Sequence, residues 1–270
     1  MAEAGEFIQQ TAHYQAGNAL ALGRCARLAY SESAQIKAQA AAWGFDRFTF
    51  LNKDDTQGFV IGNASTVVVA FRGTEPENLR DWAVDFDAKL ERSPFGRVHA
   101  GFQGALLAVW RPMTEAIAEY QNVGQSLWLT GHSLGAALAT IATAHLRAAP
   151  NDKPVYGLYT FGSPRVGDRD FEQGFNDDMR SRAFRFVNNN DVVTRVPPRV
   201  AGFSHVGTLL YFDANGDVKS DPALWFKFVD SIKGGVENLG KLAPDAIRDH
   251  SMDAGYLPNL KKNLGVNPLA

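Results

Sequence analysis

Ser126-Leu127-Trp128-Leu129-Thr130-Gly131-His132-Ser133-Leu134-Gly135-Ala136-Ala137-Leu138-Ala139 changes character at its middle. Its first five residues read as a short buried strand. Residues 134–147, rich in Ala and Leu, read as a helix. Between them stands a G-x-S-x-G pentapeptide with Ser133 at its centre. A serine on a sharp strand-to-helix turn needs glycine beside it, because only glycine lets two backbone segments approach closely there. The following helix aims the positive end of its dipole at the turn, where negative charge would build if Ser133 attacked a carbonyl. This context favours Ser133 as a nucleophile over an ordinary glycine turn whose serine only caps a helix.

Outward from this turn, Val67-Val68-Val69-Ala70-Phe71 is apolar without alternation, as in a central strand covered on both faces. Residues 45–51, 58–62, 155–161, 183–188 and 205–212 read as further strands. Residues 13–31, 36–43, 102–120 and 222–242 read as helices. Asp213-Ala214-Asn215-Gly216-Asp217, followed by Val218, is a hairpin signal. The alternation of strands and helices predicts an α/β fold with a mostly parallel central sheet and helices on both faces. No composition shift marks a linker, so residues 1–270 are expected to form one domain.

The chain's 270 residues suffice for a large core, and a net charge of −2 provides no basic field to recruit nucleic acid. Cys25 is the one cysteine, so no disulfide forms within the chain, and it reads as a small buried apolar residue. No run is long or apolar enough for a transmembrane segment. Residues 1–12 carry Glu3 and Glu6 and no targeting signal. Cytoplasmic residence and export with the leader absent from this chain both stay open, as does oligomeric state.

A serine needs a base to take its proton and a carboxylate to orient that base. On doubly wound sheets these follow in the order serine, acid, histidine. Asp191 leaves the end of the strand read at 183–188 and is the preferred acid. Asp168 competes, but Pro164 and Gly167 before it suggest a structural turn with Asp168 capping the next helix. His205 and His250 are the histidines beyond the elbow helix. His205 opens the last long strand, where a structural role is usual, while His250 lies beyond it in a polar stretch and is the preferred base. The other histidines have plainer readings: His132 should point away from Ser133, and His99 should satisfy backbone groups.

The oxyanion needs two donors. One is the N–H of Leu134, and the other would come from Thr74, at the end of the valine-rich strand, whose alternative role is a helix cap. Residues 75–88 follow at once. Pro76 suits a first helical turn, and Leu79, Trp82, Ala83 and Phe86 fall on one apolar face. Beside Thr74, such a segment reads as a lid that closes over the serine and opens at a lipid surface.

These stretches together resemble the class 3 lipases, the family of the filamentous-fungal triacylglycerol lipases. The likeness runs over about residues 45–256. Besides the elbow and lid it is carried by Val69-Ala70-Phe71-Arg72-Gly73-Thr74, Val98-His99-Ala100-Gly101-Phe102 and Tyr159-Thr160-Phe161-Gly162-Ser163-Pro164-Arg165-Val166-Gly167. Asn190-Asp191-Val192-Val193, Arg195-Val196-Pro197-Pro198 and Asp249-His250-Ser251-Met252 complete it. The resemblance implies an α/β-hydrolase fold with a short helical lid. It also implies Ser133 as nucleophile, Asp191 as acid, His250 rather than His205 as base, and Thr74 with Leu134 as oxyanion hole. It implies hydrolysis of acylglycerol esters through an acyl-serine during transient contact with a lipid interface. A phospholipase A1, a feruloyl-type esterase and a non-catalytic lipase-like binding module are the alternatives. No metal or organic cofactor is called for, since Asp213, Asn215 and Asp217 lack the bidentate Glu of a calcium loop. Secreted fungal members carry disulfides and a leader, unlike this sequence.

Overall fold

The computed structural model describes residues 11–74, 89–149, 155–220 and 248–270. The readings made for residues 75–88, with Leu79, Trp82, Ala83 and Phe86, and for residues 222–242 lie outside these. In chain order the helices are α1 (Ala16–Leu28), α2 (Ser33–Ala42), α3 (Ala100–Tyr120), α4 (Leu134–Ala148), α5 (Arg169–Met179) and α6 (Leu257–Lys262). The strands are β1 (Arg47–Lys53), β2 (Thr56–Gly62), β3 (Thr66–Phe71), β4 (Leu90–Ser93), β5 (Gly96–His99), β6 (Ser126–His132), β7 (Val155–Phe161), β8 (Ala183–Asn188), β9 (Thr208–Phe212) and β10 (Val218–Lys219).

Eight strands form one sheet in the order β1-β2-β3-β6-β7-β8-β9-β10. The pairs from β3 through β9 are parallel, and antiparallel strands flank them at both edges. This is the α/β-hydrolase arrangement that the sequence leads one to expect. The unalternating run in β3 has a direct cause. Val67, Val69 and Phe71 enter the core shared with α3 and α4, while Val68 and Ala70 enter the opposite core under α1. Leu127 and Leu129 divide from Trp128 in the same way on β6. Burying each such side chain contributes about 1.5–3 kcal/mol, so the two cores rather than the site carry the stability. Cys25 is fully within the α1 side, and burial pushes its thiol up to about 12.

Two strand boundaries fall elsewhere than the sequence pattern puts them, and one hairpin escapes that pattern. β1 runs on to Lys53 because Asp54 and Asp55, at φ 48° and 63°, make the two-residue hairpin turn that pairs Lys53 with Thr56. β9 starts at Thr208 rather than at His205, because Gly207 breaks the extended path at φ 77°. The β4–β5 hairpin is not legible in the sequence, since Leu90-Glu91-Arg92-Ser93 has no apolar alternation.

Candidate active site

β6 ends at His132 and α4 begins at Leu134, which leaves Ser133 alone between them at φ 57°, ψ −130°. A non-glycine residue held at positive φ costs on the order of 1–3 kcal/mol and persists only when its surroundings impose it. Here they do. The Ser133 N–H donates to the Phe161 carbonyl at 3.0 Å. A Cβ on Gly131 would lie 2.2 Å from the Gly135 carbonyl oxygen, and one on Gly135 would lie 2.3 Å from that of Phe71. The two glycines of the pentapeptide thus let the start of α4 sit directly on the ends of β6 and β3.

Asp191 and His250 are 59 positions apart in sequence and meet in the interior. His250 Nδ1 lies 2.9 Å from both carboxylate oxygens, with the imidazole donating. Asp191 is fully buried, and Oδ1 also accepts the Val193 N–H at 3.0 Å while Oδ2 accepts the Tyr256 hydroxyl at 2.5 Å. Burial alone would raise this carboxyl. The electrostatic influence of His250 and the donors from His250 and Tyr256 outweigh burial and hold it below the ordinary carboxylate range. The pair lies against Gly162, where a Cβ would come within 2.9 Å of Asp191 Oδ2 and of the His250 ring.

The loops that carry the pair are tied to each other. Asp249 accepts from Asn189 Nδ2 and from the Asn190 N–H, both at 3.0 Å, and its carbonyl accepts from Asn188 Nδ2 at 2.8 Å. After His250 the chain makes a single π-type turn, Met252–Tyr256, which brings Tyr256 back under Asp191. In the segment that follows Asp191, the carbonyls of Arg195 and of Pro197 accept from Arg165 Nη1, the latter at 2.7 Å.

Ser133 Oγ and His250 Nε2 are both buried, and neither has a hydrogen-bond partner among the described residues. Two reactive atoms without partners in one interior region form an arrangement that a bound reactant would complete. Thr74 and Leu134, the two candidate donors, stand at matching offsets from a strand pair. β3 and β6 run parallel with Phe71 beside Gly131, and each of the two residues follows three positions beyond its strand's member of that pair. Leu134 opens α4, so its N–H has no partner within the helix.

The competing residues have structural duties. Asp168 caps α5 through the Phe171 N–H at 3.0 Å and pairs with Arg97 at 2.8 Å. His205 is half-buried and bonded elsewhere, with Nε2 2.8 Å from the Thr194 carbonyl. His99 caps α3 by accepting the Phe102 N–H. Asp213 Oδ1 accepts the Asn215 and Asp217 N–H groups, as a turn requires. Among the described residues no group of His, Cys, Asp or Glu could hold a metal ion, and no helix is long and apolar enough to cross a membrane.

His132, Tyr256, Asp249 and Tyr30 are the neighbours that sequence reasoning missed. His132 packs against the His250 ring with centroids 4.4 Å apart, and its Nε2 lies 2.6 Å from the His250 carbonyl. Asp249 and His132, within the stretches that carry the family likeness, were the available signal. The others lie on separate segments, and only the fold brings them together.

The matches to known proteins follow the same residues. Residues 68–201 match the family model described as Lipase (class 3). A secreted mono- and diacylglycerol lipase 1 of Fusarium solani is 32% identical over 186 residues, which is 67% of this chain and 54% of that protein. Phospholipase A1-II 5 of Oryza sativa subsp. indica is 32% identical over 142 residues, 50% of this chain and 30% of that protein. The chain thus spans little more than half of the first relative's length and less than a third of the second's. Lipase II of Rhizopus niveus superposes with a TM-score of 0.59 at 23% identity, covering 71% of this chain and 78% of that one, a likeness of fold. The chain belongs to the class 3 lipase family.

Proposed function

We propose that the chain is a serine ester hydrolase that cleaves acylglycerol esters through an acyl-serine. The observation that carries this reading is the buried Asp191–His250 pair beside a strained Ser133, with Ser133 Oγ and His250 Nε2 both unpartnered among the described residues. As substrate seats, Oγ and Nε2 come into line. His250 takes the serine proton while Oγ bonds to the ester carbonyl carbon, and Asp191 stabilises the imidazolium that forms. The carbonyl oxygen becomes an oxyanion held by the Leu134 N–H and by Thr74, a kind of donor whose loss typically costs about 2.7–4 kcal/mol in the transition state. The tetrahedral adduct collapses, the ester C–O bond breaks, and the alcohol leaves with the proton from His250. Water, deprotonated by His250, then releases the fatty acid and restores Ser133.

The names of the relatives support an acylglycerol or phospholipid substrate. Leu79, Trp82, Ala83 and Phe86 are retained as substrate-facing lid residues on their spacing and their place beside Thr74. Phospholipase A1 activity is the second reading, favoured by the rice relative. Activity on emulsified triolein, tributyrin and a diacyl phospholipid, with fluorophosphonate labelling, tests the proposal. Labelling at Ser133 with glyceride turnover is expected. A folded protein that takes no label at Ser133 refutes it, and turnover of the phospholipid alone selects the second reading.

A further inference from the structure

Tyr30 lies just past the end of α1, far in sequence from every residue of the proposed reaction, yet its hydroxyl reaches into the site. Tyr30 Oη is 2.8 Å from His132 Nδ1, and His132 Nε2 is 2.6 Å from the His250 carbonyl oxygen. The N–H of Gly73, next to Thr74, donates to the same hydroxyl, and the Gly73 main chain lies so near that a Cβ there would stand 2.3 Å from it. The Arg72 guanidinium lies 5.9 Å from the Tyr30 ring centroid.

We propose that Tyr30 and His132 form a brace that fixes the main chain of His250 relative to the turn carrying Gly73 and Thr74, and that both are positioning residues for catalysis. This inference rests on the hydrolase reading above. The donors run in one direction: Gly73 N–H to Tyr30 Oη, Tyr30 O–H to His132 Nδ1, and His132 Nε2–H to the His250 carbonyl. Nδ1 can accept only in the neutral ring. The surroundings hold it neutral, because burial, with the nearby charges of His250 and Arg27, pushes His132 down to about 3 against the opposing pull of Asp191 and the His250 carbonyl. The brace thus joins the two parts that must keep register during acyl transfer, the turn beside Thr74 and the loop of the base. A lateral error of about 1 Å between such parts costs on the order of 100-fold in rate. A purely structural polar pair would have no reason to end on the main chain of the base at one side and of the oxyanion turn at the other.

The test combines kinetics with imidazole ¹⁵N NMR on the full chain. His132→Phe keeps an aromatic ring against His250 and removes the donor, and is expected to lower kcat on a soluble short-chain ester about 10- to 100-fold with KM within about twofold. His132→Gln places an amide N–H near the position of Nε2 and is expected to recover most of that loss. Tyr30→Phe is expected to lower kcat less, and it tests the brace even if His132→Phe fails to fold. Either Phe variant, folded and with wild-type kcat, overturns the brace, as does a His132→Gln enzyme no better than His132→Phe. The NMR arm needs no turnover. The wild-type His132 ring is expected to stay neutral, protonated at Nε2 only, from pH 7 to pH 5, and a second proton near pH 6 overturns the proposal. Fluorophosphonate failing to label Ser133 would sink the hydrolase reading instead, with the NMR result still bearing on the brace.

Discussion

Tyr256 and His250 donate to the same oxygen of Asp191, at 2.5 and 2.9 Å, from positions six residues apart, His250 just before a π-type turn and Tyr256 at its end. The turn is wider than an α-helical one, and such turns recur where a helix must re-aim a side chain. Its effect is to return the chain beneath the carboxylate it has just passed. Tyr256 also accepts the Asn188 N–H at 3.1 Å, so one hydroxyl links β8, Asp191 and the segment of the base. Burial and the Asp191 charge push its phenol well above the ordinary range, so it remains a donor throughout.

Tyr256→Phe should therefore damage both chemistry and stability. It removes one donor from a buried carboxylate and leaves the Asn188 N–H without an acceptor, at a cost of about 1–3 kcal/mol. The expected result is a lower melting temperature with kcat reduced by about tenfold and fluorophosphonate labelling slowed but not abolished. A variant with wild-type kcat would show that His250 orients Asp191 unaided.

Ser133→Ala should separate the reaction from the fold. Ser133 Oγ has no hydrogen-bond partner among the described residues, so its removal forfeits no bond. Turnover should vanish while the melting temperature stays nearly unchanged. Ser133→Gly should be equally inactive and also relieve the strain at φ 57°. A marked fall in stability in Ser133→Ala would mean that the serine is chiefly structural.

Gly131→Ala and Gly135→Ala test why the pentapeptide has the form it has. In each a Cβ would meet backbone rather than a movable side chain, at 2.2 and 2.3 Å. The start of α4 would have to shift from β3 and β6, and overpacking of this kind costs about 1–3 kcal/mol or more. Both variants should melt at lower temperature than Ser133→Ala, and any that fold should lose activity because the Leu134 N–H moves with the helix. Wild-type thermal stability in either would mean that the close approach is not tight in solution.

The turn at Ser133, the proposed partners Asp191 and His250, and the sheet were legible in the sequence because each rests on a local pattern. The elbow declares itself by a change of period within 14 residues, and β3 by an unalternating run that only a strand covered on both faces explains. Asp191 and His250 follow from chain order and from the loops they occupy. What escaped has no local signature. Tyr30 acts through His132 across 102 positions, and Asp249 holds the 188–190 turn across about 60. His132 read as a bystander because adjacency to Ser133 says nothing of the segment that folds over the other side of its ring. The end of β1 and the start of β9 were misplaced for a simpler reason. Positive φ at Asp54, Asp55 and Gly207 sets those boundaries, and the apolar pattern does not record it.

Acid should destabilise the protein through its buried neutral histidines. The His132 ring falls from its ordinary 6.5 to about 3 because of burial and the His250 charge. His205 is held well below its ordinary value by burial and by Arg185 and Arg165. Each is lowered in the folded state, so below pH 6.5 the unfolded chain binds protons that the folded chain refuses. Stability therefore rises with pH up to about 6.5 and is lost as pH falls towards 3, by up to about 1.4 kcal/mol per pH unit for each such ring. Denaturant midpoints between pH 4 and pH 7 should show this slope, and His132→Gln should flatten it. An unchanged slope in that variant would mean that His132 takes up its proton in the folded state.

Trp82 tests the reading of residues 75–88. Spacing puts Leu79, Trp82, Ala83 and Phe86 on one apolar face immediately after Thr74. If that face meets lipid and acyl chain, its contribution scales with the apolar area covered, which is large for a long chain at an interface and small for a soluble short ester. An indole buries about 150–250 Å² of surface. At about 25 cal/mol per Å², even half of that area corresponds to about 2–3 kcal/mol, or roughly 30- to 150-fold in rate. Trp82→Ala should therefore cut hydrolysis of emulsified triolein by at least tenfold while leaving a dissolved butyrate ester within about threefold. Fluorophosphonate labelling at Ser133 in solution should persist, because the reagent needs neither interface nor acyl chain. Equal losses on both esters would assign Trp82 to packing around Thr74 and remove the interface from the proposed function, leaving the proposed chemistry at Ser133 as it stands.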